Sequence, residues 1–232
     1  MAELLQAVRA GLRAVAEPQR APAMQAYMKS EMPYVGVRAG PSRLVFKQVF
    51  AELDLTPAER WRELVLELWR GAEFREERYA AIALCGDPRA RPHQVPAALS
   101  LYEEMIVTGA WWDYVDSLAS HRVGGLLRLH PSAIRPEMLA WSRDRDMWKR
   151  RSSIICQLRF NADTDLELLA ACIQPSLASK EFFLRKAIGW ALRQYAWVDP
   201  DWVVGYVDSH AAQLSPLSRR EALKNVSPKR DS

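Results

Sequence analysis

The chain has 232 residues, 49% of them apolar, and a formal net charge of +4. That composition excludes a disordered polyelectrolyte, and no apolar run reaches the ~18 residues of a membrane span. Three cysteines, Cys85, Cys156 and Cys172, lie far apart among Leu, Ile and Ala, so they read as small buried residues rather than metal ligands.

In chain order, the first stretch, MAELLQAVRAGLRAVAE, contains acids and lacks the apolar core of a signal peptide, which points to a cytoplasmic protein. Apolar residues then recur at intervals of three and four in EERYAAIAL, in VPAALSLYEEMIV and in DLELLAACI. Breakers fall between them at Thr56-Pro57, Gly86-Asp87-Pro88, His130-Pro131, Asp163-Thr164, Asp199-Pro200 and Ser215-Pro216. Several of these suit an N-cap or a first-turn proline. The spacing predicts helices of about 10–17 residues and no strands. Short helices with tight turns read as an all-α stack of antiparallel helical hairpins, with a compact helical bundle as the rival. The expected domain runs over residues 1–226, followed by a polar tail at 227–232.

The segment TGAWWDYVDSLAS poses a problem of side-chain direction. Written as a helix, Trp111, Val115, Leu118 and Ala119 form one apolar stripe. Trp112 then turns about 100° away, and Asp116 lies one turn along on that second face. Either Trp112 fills a groove between helices and Asp116 is solvated, or the two form a half-exposed indole platform with a fixed carboxylate.

Two later helices carry similar exceptions. In MWKRRSSIICQLRF, Ile154, Ile155 and Leu158 mark the buried stripe, and Arg151 falls in line with it. An arginine there pairs with a carboxylate or with a phosphate. Arg159 returns to nearly the same face. In FFLRKAIGWALRQY, Leu184, Ile188, Ala191 and Tyr195 form the core stripe, while Lys186, Trp190 and Arg193 share another face. That second face is either ordinary packing or a nucleic-acid contact surface. Charge is also uneven. Residues 51–110 hold seven Lys and Arg against eleven Asp and Glu, whereas residues 143–193 hold ten against six. A basic second half suits an anionic partner such as nucleic acid. No P-loop, dinucleotide fingerprint, HExxH or nucleophile elbow occurs, so enzyme chemistry here would run on carboxylates, aromatics and cations.

Taken together, TGAWWDYVD, MWKRRSSIICQLRF and FFLRKAIGWALRQY, with the earlier YMKSEMPYVGVRAGPSR, resemble the AlkD family of DNA glycosylases in motif order and spacing, from about residue 4 to residue 226. The resemblance implies a superhelix of HEAT-like repeats with a basic concave surface for double-stranded DNA. It implies hydrolytic release of cationic N3- and N7-alkylpurines in base excision repair, without flipping the base and without metal or cofactor. Carried over residue by residue, Asp116 is the catalytic carboxylate, and Trp112 and Trp190 are the cleft tryptophans. Arg151 holds the DNA backbone, Arg159 stands where lysine is more familiar, and Tyr27 is an N-terminal contact. Lys186 and Arg193 join the DNA-facing set. The expected form is a monomer, in the bacterial cytoplasm and on the nucleoid when bound. A relative specialised for bulky N3-adenine adducts of DNA-alkylating antibiotics, serving self-resistance, is one alternative. A non-catalytic DNA- or protein-binding module is another.

Overall fold

The computed structural model describes residues 3–226, so the expected polar tail lies outside the described residues. Every regular element among them is helical. The described residues fall into two compact units, divided between Gln94 and Val95.

The first unit contains α1 (Glu3–Ala14), α2 (Ala21–Met28), α3 (Ala39–Phe50), α4 (Ala58–Arg70) and α5 (Arg75–Cys85). Its core follows helical spacing. On α4, Trp61, Leu64, Val65, Leu68 and Trp69 are all buried, at steps of three and four. They pack with Val8 and Leu12 of α1 and with Ala80 and Leu84 of α5. Two fully buried acids at the start of α5 tie down the surrounding chain. Glu76 accepts the backbone N–H groups of Val35, Gly36 and Val37 at 2.9–3.0 Å. Glu77 accepts Arg9 from α1 and the N–H groups of Glu73 and Phe74. Both sit where a helix N-terminus favours negative charge.

The second unit contains α6 (Leu99–Gly109), α7 (Trp112–Ser117), α8 (Gly124–Leu129), α9 (Pro131–Trp141), α10 (Met147–Ile155), α11 (Leu166–Ile173), α12 (Phe182–Tyr195), α13 (Pro200–Ser209) and α14 (Pro216–Ala222). Between α7 and α8 the chain does not break. Leu118–Val123 continues as a π-helical segment, so residues 112–129 form one rod. Several breakers act as the sequence reading expects. Asp199 accepts Trp202 N–H at 2.9 Å, Ser215 accepts Ser218 N–H at 3.0 Å, and Pro131 opens α9. The cap of α11 is Asp165, which accepts Leu168 N–H at 2.9 Å and directly follows the expected Asp163-Thr164 break. The helices run from 6 to 14 residues, shorter at the low end than expected, because turns and 3₁₀ or π segments interrupt the periodic stretches. The three cysteines are buried and form no disulfide with one another. Burial pushes the Cys172 thiol up to about 12, which leaves it inert at neutral pH. No helix among the described residues is long and apolar enough to cross a membrane.

Close backbone approach fixes two helix contacts that bear on the site. A Cβ on Gly124 would lie 2.2 Å from the Cys156 carbonyl oxygen, so α8 meets the end of α10 without an intervening side chain. A Cβ on Gly189 would lie 2.5 Å from Glu221 Cβ, so α14 rests directly on α12.

Candidate active site

The segment around the paired tryptophans is anchored by Tyr114, Val115, Leu118 and Ala119, all fully buried. The expected phase therefore holds from Val115 onward. It fails at Trp111, which is not in the helix. This residue is the N-cap of α7, in extended conformation, and is half-buried. Its ring lies 5.5 Å from Phe183 and 6.3 Å from Trp148, and its buried indole N–H has no hydrogen-bond partner among the described residues. Trp111 thus belongs to an aromatic cluster joining α7, α10 and α12, rather than to the stripe below α7. Trp112 is the first residue of the helix and is also half-buried.

Asp116 lies off the anchored face and meets Arg151 of α10. The guanidinium is bidentate. Nε donates to Oδ1 at 2.7 Å and Nη2 donates to Oδ2 at 2.8 Å. Nη1 donates to the Phe183 carbonyl, and the group sits 5.8 Å from the Phe183 ring. The Arg151 side chain is 5% exposed and that of Asp116 is 15% exposed. Of the two partners expected for Arg151, the structure supplies the carboxylate. Asp116 and the Phe183 carbonyl take three of the guanidinium's five N–H donors. The pair is oriented, with the cation buried and the carboxylate toward an opening. Burial pushes the Asp116 carboxyl above the ordinary aspartate value, outweighing the downward pull of Arg151, while nearby Asp113 adds to the rise.

That opening is a cleft of about 500 Å³. Asp116, Ser120 and His121 line one side, Arg159 and Asn161 come from the turn after α10, and Trp190 comes from α12. The structure thus brings together Asp116, Trp190 and Arg159, with Arg151 behind the carboxylate. Trp112 is not part of the cleft lining among the described residues. Arg159 reaches the cleft from a turn, since α10 ends at Ile155. Lys186 and Arg193 share a face of α12 as expected, but both turn to Glu221 of α14, at 3.3 and 2.8 Å. Lys224 completes the cluster at 2.7 Å. Lys224 foremost, with Lys186, holds the Glu221 carboxyl below its ordinary value. Two of the expected DNA-facing cations therefore have an internal counter-ion. Tyr27 is 77% exposed on α2 of the first unit.

Sequence reasoning missed His121, Ser120 and Glu221. Ser120 was open to inference, since it lies one turn after Asp116 and donates to the Asp116 carbonyl at 2.6 Å, whereas the place of His121 depends on the π segment. The chain offers only Lys224, three residues on, as a partner for Glu221, and its approach to Lys186 and Arg193 is visible only in the fold.

The model of the family described as DNA alkylation repair enzyme matches residues 8–226. No curated protein matches the chain. A solved structure from Enterococcus faecalis, titled a predicted DNA alkylation repair enzyme, is similar with a TM-score of 0.82 and 30% identity, covering 91% of this chain and 97% of that one.

Proposed function

The chain belongs to the DNA alkylation repair enzyme family, and we propose that it is a monofunctional DNA glycosylase that hydrolyses the N-glycosidic bond of cationic N3- and N7-alkylpurines in double-stranded DNA without flipping the base. One observation carries this reading: an oriented ion pair whose carboxylate, Asp116, opens on a cleft that also holds the Trp190 indole and Arg159.

The chemistry suits such a site. Alkylation at N3 or N7 leaves the purine positively charged, so the base departs without prior protonation. As the C1′–N bond breaks, its electron pair passes to the purine ring and neutralises it. Positive charge then develops on C1′ and the ring oxygen of the deoxyribose. A carboxylate fixed beside that position stabilises the sugar more than the ground state, which is the condition for lowering the barrier. A carboxylate offers about four lone-pair sites, and Arg151 engages two of them. The others remain for the sugar cation or for a water. That water adds its oxygen to C1′ and gives up a proton, with Asp116 as acceptor. The Trp190 face adds cation–π stabilisation of about 0.5–2 kcal/mol when desolvated. Arg151 acts through Asp116, by holding its orientation and opposing the rise that burial imposes on its carboxyl.

The cleft is open and large compared with a methyl group, which favours bulky N3-adenine adducts as a second substrate class. The test is single-turnover base release from 7-methylguanine DNA and from DNA bearing a bulky N3-adenine adduct, using wild type and Asp116→Asn. Asp116→Asn keeps the side-chain volume but leaves the buried Arg151 guanidinium without its counter-charge, at about 3–5 kcal/mol, so it is expected to fold with a lowered Tm and to be assayed for DNA binding well below that Tm. Its base release should fall by about 10²-fold or more, the scale of a positioned acid–base group. Equal rates for the two proteins remove Asp116 from the reaction. No release from either DNA leaves only a binding module.

A further inference from the structure

His121 enters the cleft through an irregularity of the helix. In an α-helix continuing from Asp116, position 121 would point about 140° away from the Asp116 face. The Leu118–Val123 segment is π-helical instead, and its wider turn advances each residue by less than the α-helical ~100°, which swings position 121 back toward the Asp116 face. Asp116 and His121 consequently line the same cleft. Short π segments recur at functional sites.

His121 also borders a second hollow of about 180 Å³, with Gly125, Arg128 and Phe160. The two hollows share Ser120, His121 and Arg159, so they form one groove. Its floor at Gly125 is open, since a Cβ there would meet nothing within 4 Å. Its charge is predominantly positive. Arg159 faces the imidazole from the turn after α10, Arg122 follows it in the chain, and Arg128 comes from α8. Arg128 is paired with Asp163 at 2.7 Å and lies over the Phe160 ring. Asp116, from α7, is the one carboxylate of the lining among the described residues, and Arg151 holds it. Neither α6 nor α10, which also pack against the π segment, adds a carboxylate to the groove.

We propose that His121 and Arg159 bind a DNA phosphodiester beside the Asp116 cleft, and that His121 takes up a proton from solvent as the DNA seats. The proposal rests on DNA being the ligand and adds a phosphate site linked to protonation. Without DNA, partial burial and then the charges of Arg159 and Arg122 hold the imidazole below its ordinary value. A phosphate placed between the imidazole and Arg159 reverses the local field and favours imidazolium, which then donates from both ring nitrogens.

The test measures binding of undamaged fluorescent duplex by anisotropy at constant ionic strength, from about pH 5.5 to 8.5, a range that brackets histidine titration. Wild-type affinity should rise as pH falls, by about tenfold for each unit through which bound phosphate raises the imidazole pKa. In His121→Gln that pH dependence should be lost. The same slope in both proteins overturns the proposal. In parallel, the His121 imidazole resonance of wild type is titrated with and without duplex, which does not depend on a variant folding. An unchanged midpoint also overturns it. Undamaged DNA keeps the outcomes separable. Protonation-linked binding through His121 with no base release refutes the glycosylase reading alone. Base release with a pH dependence of binding untouched by His121→Gln refutes the phosphate site alone.

Discussion

Arg151→Met is expected to expose the tension in the Asp116–Arg151 pair. The substitution keeps a long unbranched side chain and removes the guanidinium. In the wild type, two bonds of 2.7 and 2.8 Å join side chains that are 5% and 15% exposed. Breaking one partner of a buried pair leaves the other charge uncompensated, at about 3–5 kcal/mol. Asp116 retains some access to water through the cleft, so the lower end, about 3 kcal/mol, is the appropriate figure. For a chain of this size that lowers Tm near neutral pH by about 6–12 °C.

The pH dependence has a definite sign. The folded-state pKa of Asp116 already lies above its ordinary value through burial, and Arg151 is what pulls it down. Without Arg151 it rises further. A carboxyl whose folded pKa is raised binds its proton more readily when folded, so no penalty exists below the unfolded value of ~3.9. The penalty grows as pH rises and is complete above the folded pKa. The stability gap between Arg151→Met and wild type should therefore close on acidification. The acid limb of base excision should move to higher pH in the variant, because the ionised carboxylate is the working form. Calorimetry across pH, with single-turnover excision over the same range, measures both. Adding Asp116→Asn to Arg151→Met should restore most of the lost stability, since no buried charge remains. A gap that stays constant or widens on acidification, or an acid limb that does not move, refutes the reasoning.

The adjacent glycines of α8 should separate. Gly124→Ala forces a Cβ onto the Cys156 carbonyl and should cost at least the 1–3 kcal/mol of overpacking, read as a lower Tm. Gly125→Ala meets open space and should gain up to about 1 kcal/mol from helix propensity; a lower Tm there would show that the groove floor is tighter than described. The tryptophans should also differ. Trp111→Ala loses two aromatic contacts, at about 0.5–1.5 kcal/mol each beyond the area buried, and should lower Tm in denaturation scans. Trp112→Ala should change Tm less, and the reverse order of Tm losses would overturn this assignment.

Much of the fold is written locally and was legible. Apolar spacing of three and four identifies α5, α6, α10, α11 and α12, and their stripes are buried as the period requires, because a helix must turn its apolar face inward. Asp199, Ser215 and Pro131 mark helix starts because capping is a matter of a few neighbouring residues. The residue types of the site, an acid after a tryptophan pair and an arginine in line with a core stripe, were also visible in the chain. Their partnerships were not. Whether Arg151 meets a carboxylate or a phosphate depends on which helix lies opposite, 35 residues away in the chain, and only packing brings Asp116 within 2.7 Å. Glu221 captures Lys186 and Arg193 because Gly189 lets α14 close on α12. The π segment that turns His121 toward Asp116 leaves no periodic signature, since one altered turn in a rod changes the direction of a side chain without changing the apolar pattern around it. Periodicity reports which face of a helix is buried, and the tertiary structure alone decides what that face, or its edge, meets.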